Sequence, residues 1–557
     1  MERIWLKNYP KGVPADIDPT QYASIIDVFN DACKQFGPQP AFTNLGVTLT
    51  FDQLHKMVDN MASFYQNELK LKKGDRIAVQ MPNLLQFPVA VFAALKVGLV
   101  VVNTNPLYTA KEMEHQFKDS GAKAIVILAN YGALLEQIIR QTSIESVVVT
   151  EIGDLFPFPK SLLVNSVVKY VKKMVPKFHL PQAYTMREAL QIGSMKPASA
   201  VEVKSSDIAF LQYTGGTTGV SKGAMLSNRN VVANMLQILN WISPFLEKGK
   251  EIAVAALPMY HIFSLTANCL AFMSFGTHNV LITNPRDIPA FIKELNKYPF
   301  TLMTGVNTLF NALMNHADFE KANLKHMKVS VAGAMALQRA VSERWKKLTG
   351  SVIVEGYGLT EASPVICVNP LGGTDRVGTI GMPVPSTEVR LEDDNGKEVE
   401  IGGIGELLAK GPQVMLGYWN RPDETEKVID KNGWLHTGDI ATVDETGFFK
   451  IVDRKKDMII VSGFNVYPNE VEDALANHPG ILEAAAIGVP DGHSGEVVKV
   501  VVVKKDPNLT AEDVIKHAKA SLTNYKVPKL VEFRTELPKT NVGKILRRAL
   551  RDQPPTT

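Results

Sequence analysis

The sequence predicts an α/β protein with largely parallel sheets, followed by a small α+β domain at its C-terminal end. Three observations carry that prediction. Apolar helical and strand patterns alternate up to about residue 450, the pattern of layered α/β structure. A charged run, Asp453-Arg454-Lys455-Lys456-Asp457, then separates an apolar strand around Ile451 from another at 458–461. Beyond it, roughly a hundred residues mix helices and strands. Placing the boundary at the charged run gives an N-terminal domain of residues 1–452 and a mobile C-terminal domain of residues 453–557, with the charged run as the hinge. The 557 residues are too many for one hydrophobic core, which agrees with this division.

In chain order, residues 51–69 carry helical spacing behind Thr50, a residue type that caps helix N-termini. Arg76–Gln80 reads as a strand, 84–97 as a buried helix and 99–102 as another strand. Residues 111–120 and Ala124–Leu128 repeat the helix–strand step, and 328–332, 337–348 and 352–355 do so again. Between Gly372 and Pro422 glycine and proline thicken and the pieces shorten, marking a more β-rich subdomain. In the C-terminal part a helix opens at Pro468, strands lie near Ile487 and at 497–503, and Thr510 caps a further helix.

Hydrophobic residues make up 45% and charged residues 21%, which is ordinary for a globular protein. A net charge of +3, without a basic stripe interleaved with aromatics, argues against nucleic acid as a partner. Cys33, Cys269 and Cys367 lie far apart without metal spacing and read as reduced core residues. The opening MERIWLKNYPKGVP carries charges and prolines in place of an apolar signal core, and no eighteen-residue apolar stretch follows. The expectation is a cytoplasmic chain that does not span a membrane.

Residues 213–223 read YTGGTTGVSKG, behind an apolar strand at 208–212. Glycines let the backbone adopt φ > 0 and bring main-chain N–H groups close to phosphate oxygens. Thr214, Thr217 and Thr218 add hydroxyls and Lys222 adds a mobile charge, so the loop suits a triphosphate. It is not the P-loop of NTPases, because two residues separate Gly219 from Lys222. Further along, EGYGLTE at 355–361 sets Tyr357 between glycines, where a ring can stack on a purine. It also sets Glu361 where a carboxylate can hold Mg²⁺ beside phosphates. NGWLHTGDI at 432–440 presents Asp439 on a turn suited to ribose hydroxyls, and PKTNVGK at 538–544 forms a glycine–lysine turn. A bland turn explains any one of these motifs; their joint occurrence in this order is specific.

With these motifs the chain resembles the adenylate-forming acyl-CoA synthetases, across essentially its whole length. Within that superfamily NPLYT at 105–109, LPMYHIF at 257–263, ITNPRDIP at 282–289 and VDRKKDMIIVSGFNVYPNEVE at 452–472 look like the long-chain fatty acyl branch. The resemblance implies a large N-terminal domain of two α/β subdomains plus a distorted β-barrel, with a small C-terminal lid. It also implies two half-reactions. A fatty acid carboxylate attacks the α-phosphate of ATP to give acyl-AMP and diphosphate, and coenzyme A then displaces AMP. Mg²⁺, ATP and coenzyme A are the cofactors and co-substrates so implied, and a homodimer is left open.

Carried over residue by residue, the resemblance implies a phosphate loop of Tyr213, Thr214, Gly215, Gly216, Thr217, Thr218, Gly219, Val220, Ser221, Lys222, Gly223 and Ala224. Gly333, Ala334, Gly356, Tyr357 and Gly358 are expected to border the adenine. Thr360 is expected at the α-phosphate, and Glu361 with Thr214 at Mg²⁺. Asp439 is expected to accept the ribose hydroxyls with Arg454 assisting, and His261 to border the acyl site. Lys544 is expected to reach from the lid to the acyl carboxylate and α-phosphate. Ser462, Gly463 and Phe464 are expected to line the thiol channel after the lid rotates about Asp453. Ile460 stands where many relatives carry lysine, so that contact is in doubt here.

One segment is read from its own periodicity. In SLLVNSVVKYVKKMVPKF at 161–178, helical spacing puts Leu163, Val164, Val167, Val168, Val171, Met174 and Val175 on one face. Lys169, Lys172, Lys173 and Lys177 fall on the other. Such a basic amphipathic helix suits the anionic inner face of the cytoplasmic membrane, and equally a helix packed on its own domain. Two rival functions are carried: an acyl-AMP ligase that delivers to a carrier protein, and a non-enzymatic fatty-acid-binding or uptake protein. The second leaves Lys222, Glu361, Asp439 and Lys544 without a purpose.

Overall fold

The computed structural model describes residues 2–214, 221–372, 376–540 and 543–552. Among these residues the strands form four sheets. A seven-stranded sheet runs in the order Tyr184–Thr185, Ser146–Thr150, Ala124–Leu128, Arg76–Gln80, Val100–Asn103, Ile208–Thr214, Lys222–Ser227. Its neighbours are parallel except for the last pair, which is a hairpin. A nine-stranded sheet has Leu302–Gly305, Val329–Ala332 and Ile353–Gly358 side by side and parallel, with antiparallel pairs at its edges. Apolar clusters lie on both faces of the central parallel strands of the seven-stranded sheet, so these strands read as mainly apolar without strict alternation. Every residue of Ala124–Leu128 and of Val100–Asn103 is buried.

The sequence-predicted elements recur with shifted ends. Arg76–Gln80 and Ala124–Leu128 are strands at the expected bounds. Thr50 caps Phe51–Ser63 in a reciprocal box with Gln53, and a π-helical turn, Phe64–Glu68, continues it. The buried helix is Gln86–Lys96, and the later helix–strand pair is Arg339–Thr349 and Ile353–Gly358. Glu388–Glu392 and Ile404–Lys410 of the glycine-rich region join Leu435–Val443 and Phe449–Arg454 beyond it in an antiparallel sheet. Cys33, Cys269 and Cys367 are all buried.

The C-terminal domain is α+β. Ile481–Asp491 pairs with Gly495–Lys504, which also carries Ile459–Val461 and, in parallel, Leu530–Arg534. Pro468 opens the helix Pro468–Ala476 at its first turn, and Thr510 boxes with Asp513 to start Ala511–Lys519. Ile459, Val466, Val471, Leu475, Val500 and Val514 belong to an apolar cluster of its own. The protein thus pairs a large α/β N-terminal domain with a small C-terminal one.

The amphipathic segment is corrected. It is helical over Lys160–Ser166 and continues as a π turn over Val167–Val171, then stops. Lys173 adopts φ +52°, and Met174 N–H closes the end on the Val168 carbonyl. Pro176 cannot donate a helical hydrogen bond and pushes Val175 away from helical geometry. Phe178 packs where Gly132 would otherwise carry a Cβ. Met174, Val175 and Lys177 therefore do not extend one helical face. Among the described residues no helix is long and apolar enough to cross a membrane.

Candidate active site

The hairpin Ile208–Thr214/Lys222–Ser227 sets Thr214 opposite Lys222. Gly215, Gly216, Thr217, Thr218, Gly219 and Val220 lie outside the described residues. What precedes them is rigid. Tyr213 is buried, and its hydroxyl donates to Asp119 Oδ2 at 2.7 Å. Arg421 Nη2 donates to the other oxygen of Asp119 at 3.0 Å, and Trp419 Nε1 to its carbonyl at 3.1 Å. Tyr213 is thus held through its ring at Asp119 and through its backbone by pairing with Gly223. Gly223 is in place because a Cβ there would press on the Tyr213 ring at 3.1 Å. Ala224 is buried in the strand beyond, and the Ser221 carbonyl meets His115 Nε2 at 3.1 Å. Lys222 forms an ion pair with Glu424 and sits over the Tyr418 ring. Asp119, His115, Tyr418 and Glu424 were missed by the sequence reading, since nothing periodic ties them to the loop.

The next wall stands at the C-terminal ends of Val329–Ala332 and Ile353–Gly358, where α/β sheets bind ligands. Gly333 and Gly358 allow the close approach: a Cβ would lie 2.9 Å from Phe263 at the first and 2.0 Å from the Pro364 carbonyl oxygen at the second. Ala334 takes φ +65°, an uncommon conformation for a residue with a side chain. The buried Glu355 carboxylate sets this corner. It accepts Leu337 N–H at 3.0 Å and Gly378 N–H at 2.9 Å. Burial pushes its pKa up to about 7.

Asp439, 7% exposed, brings a phenol and a guanidinium together. Its Oδ2 accepts the Tyr357 hydroxyl at 2.7 Å, and its Oδ1 lies 3.3 Å from Arg454 Nε, its cross-strand partner. Tyr357 stays in the strand, paired with Cys367, and its phenol meets the Asp439 carboxylate across the sheets. Thr360 and Glu361 form a short 3₁₀ turn just beyond, where Glu361 Oε1 accepts the Tyr418 hydroxyl at 2.6 Å. Among the described residues no three His, Cys, Asp or Glu side chains converge as a self-sufficient metal site. One carboxylate with the Thr214 hydroxyl nevertheless fits Mg²⁺, which commonly takes one or two carboxylates and completes its shell with phosphate oxygens and water.

The C-terminal domain closes this site. A Cβ on Gly543 would lie 2.7 Å from Thr308 Oγ1, so the glycine–lysine turn presses on the N-terminal domain. Desolvation brings the Lys544 pKa down to about 7, with Arg454 and Lys456 lowering it and Asp439 opposing them. The same burial, with Lys544 adding its charge, pushes His261 down to about 4, so its imidazole is neutral. His261 Nδ1 accepts Phe263 N–H at 3.4 Å. Asp453 is fully buried and accepts Arg454 N–H at 2.7 Å and Asn469 N–H at 2.8 Å, holding the start of Pro468–Ala476. Arg547, also missed by the sequence reading, joins Asp453 to Asn469 and Glu472. Ser462, Gly463 and Phe464 are elsewhere, at the exposed tip of the hairpin Ile459–Val461/Phe464–Val466. Ile460 is half exposed, and its N–H donates to Glu496 at 2.8 Å.

The chain is 56% identical to the long-chain-fatty-acid–CoA ligase of Escherichia coli O157:H7, over 99% of this chain and 98% of that one. Identity is 52% to the Haemophilus influenzae ligase of the same name, over 99% of each. Among solved structures, ATP-bound MatB from Rhodopseudomonas palustris matches with a TM-score of 0.80 at 26% identity, over 94% of this chain and 98% of that one. An anthranilate CoA ligase in complex with anthranoyl-AMP shares the fold, with a TM-score of 0.85 at 24% identity, over 96% of this chain and 98% of that one. The profile of the AMP-binding enzymes matches residues 29–419, more than half of the chain, and that of their C-terminal domain matches 470–544. The protein belongs to the AMP-binding enzyme family.

Proposed function

We propose that the protein activates long-chain fatty acids as coenzyme A thioesters, using ATP and releasing AMP and diphosphate through an acyl-adenylate. The observation that carries this is identity of 52–56% to long-chain-fatty-acid–CoA ligases along 99% of the chain. In the first half-reaction a carboxylate oxygen forms a bond to the α-phosphorus of ATP as the bond to diphosphate breaks. Two anions meet, so positive charge must be concentrated where they approach. In this reading Lys222, Lys544 and Arg454 supply that charge, and Thr360, next to Glu361 in its turn, contacts the α-phosphate. Bound between Glu361, Thr214 and the phosphates, Mg²⁺ would supply further charge neutralisation.

Asp439 and Tyr357 hold ribose and adenine in this reading, with Gly333, Ala334, Gly356 and Gly358 giving the base its flat approach. His261, neutral, borders the acyl carboxylate beneath Lys544. In the second half-reaction the coenzyme A sulfur attacks the acyl carbon and AMP leaves. The C-terminal domain, residues 453–557, turns about Asp453 and brings Ser462, Gly463 and Phe464 to the thiol path.

The encounter with substrate is assigned to an anionic membrane surface. Phe158, Leu162, Leu163, Tyr170, Val171 and Met174 are all more than half exposed, beside Lys169, Lys172, Lys173 and Lys177. Apolar side chains next to lysines suit a lipid headgroup boundary. The test of the activity supplies ATP, Mg²⁺, coenzyme A and fatty acids of graded length, and quantifies AMP and acyl-CoA. Equal yields with long acids are expected. AMP without acyl-CoA would favour delivery to a carrier protein, and neither product would overturn the reading.

A further inference from the structure

Tyr418 joins the two halves of the proposed phosphate site, although no sequence motif points to it. Its hydroxyl donates to Glu361 Oε1 at 2.6 Å, and its ring centre lies 4.8 Å from Lys222 Nζ. The residue is 6% exposed, so neither contact belongs to a mobile surface side chain. The backbone around it is laced to both neighbours. Met415 N–H donates to the Glu361 carbonyl at 2.8 Å, and Leu416 N–H to the Met225 carbonyl at 3.0 Å. Met225 N–H returns to the Gly417 carbonyl at 2.9 Å, and Trp419 N–H reaches the Gly223 carbonyl at 2.8 Å. Tyr418 N–H is itself held by Thr425 Oγ1 at 2.8 Å. Residues 415–419 therefore form a bar tied at one end to the turn of Glu361 and at the other to the strand Lys222–Ser227.

We propose that Tyr418 is a positioning residue that sets Glu361 and Lys222 at a fixed separation for a divalent cation complexed with a nucleoside triphosphate. Glutamate and lysine side chains each lose several torsional freedoms when held, and one aromatic residue restrains both here. The hydroxyl makes a charge-assisted hydrogen bond that orients the carboxylate, and the ring face attracts the ammonium. Lys222 is also paired with Glu424, an anion that a phosphate would have to replace, so the ring contact is what keeps the ammonium in place during that exchange. The proposal rests on the ATP-dependent reading above.

The test separates hydroxyl from ring by calorimetric titration of the whole protein. Tyr418→Phe keeps the ring, and Tyr418→Leu removes both contacts. Tyr418→Phe is expected to weaken MgATP binding about ten- to a hundredfold, the scale of one hydrogen bond to a charged group. Its affinity for ATP in excess chelator is expected to stay at the parent value. Tyr418→Leu is expected to weaken both. Thioester formation from supplied acyl-AMP and coenzyme A involves no triphosphate and is expected to keep its rate in both variants. Parent-like MgATP affinity in Tyr418→Phe would overturn the proposal. So would an equal loss in metal-free ATP binding and in thioester formation, which would mark a general packing role. Failure of the parent protein to bind MgATP would instead defeat the ATP-dependent reading.

Discussion

Lys544 brings a positive charge into a corner that already holds Arg454 and Lys456, with Asp439 as the opposing anion. Among the described residues its ammonium has no hydrogen-bond partner, so the corner is arranged for an arriving anion. Lys544→Ala is expected to reduce acyl-AMP formation on the order of 10²–10³-fold, the scale for removing one such stabiliser. Thioester formation from supplied acyl-AMP is expected to stay largely intact; comparable loss of both half-reactions would remove the selective role. The depressed pKa also makes a pH prediction. An exposed lysine titrates at 10.5, and burial brings this one down to about 7 with the lid closed. The open form therefore binds more protons between those values, and closure of the ligand-free protein gains stability as pH rises through that window. Below pH 7 both forms are protonated and the dependence vanishes. A fluorophore pair across the two domains should report closure rising from pH 7 to 10, and a flat profile in Lys544→Met.

The hairpin Ile459–Val461/Phe464–Val466 turns on two residues, Ser462 at φ +51° and Gly463 at φ +83°. Left-handed conformations at both central positions match the turn that joins twisted antiparallel strands most tightly. Glycine at 463 thus has a local reason besides the thiol channel, while a Cβ there would meet nothing within 4 Å in this lid position. The two reasons separate experimentally. Gly463→Asn tolerates the left-handed backbone, so it is expected to keep the fold and acyl-AMP synthesis while slowing thioester formation. Gly463→Leu adds backbone strain and is expected to lower the melting temperature as well. If Gly463→Asn made thioester at the parent rate, the glycine would serve the turn alone.

Across the whole molecule, the C-terminal domain adds the last wall of the site by lying against the N-terminal one, with Gly543 on Thr308 and Lys544 near His261. The exposed apolar side chains at 158–174 offer the other surface of consequence. Replacing Lys169, Lys172, Lys173 and Lys177 with glutamine is expected to weaken binding to anionic vesicles without changing turnover of a soluble, shorter acid. Each lysine near such a surface contributes roughly 1 kcal/mol, screened by salt. Co-sedimentation of the parent should therefore fall with ionic strength, and that dependence should nearly disappear in the quadruple variant. Unchanged co-sedimentation at low salt, with circular dichroism intact, would leave the patch without a lipid partner.

By itself the sequence determined what local chemistry decides. Runs buried on both faces announced Arg76–Gln80 and Ala124–Leu128, and capping residues announced the helices after Thr50, Pro468 and Thr510. The order of glycine-rich and acidic motifs announced the family. Where the sequence reading overran, at 172–178, a periodic pattern continued past a proline that the backbone could not accommodate in a helix. Tertiary structure alone decided which distant groups meet: Asp119 with Tyr213, Tyr418 with Glu361, Arg547 with Asp453, and Lys544 with the corner of Asp439. Those contacts span long stretches of chain and involve single polar side chains. They leave no period to read, because a hydrogen bond depends on where two atoms come to rest after folding and not on spacing along the chain.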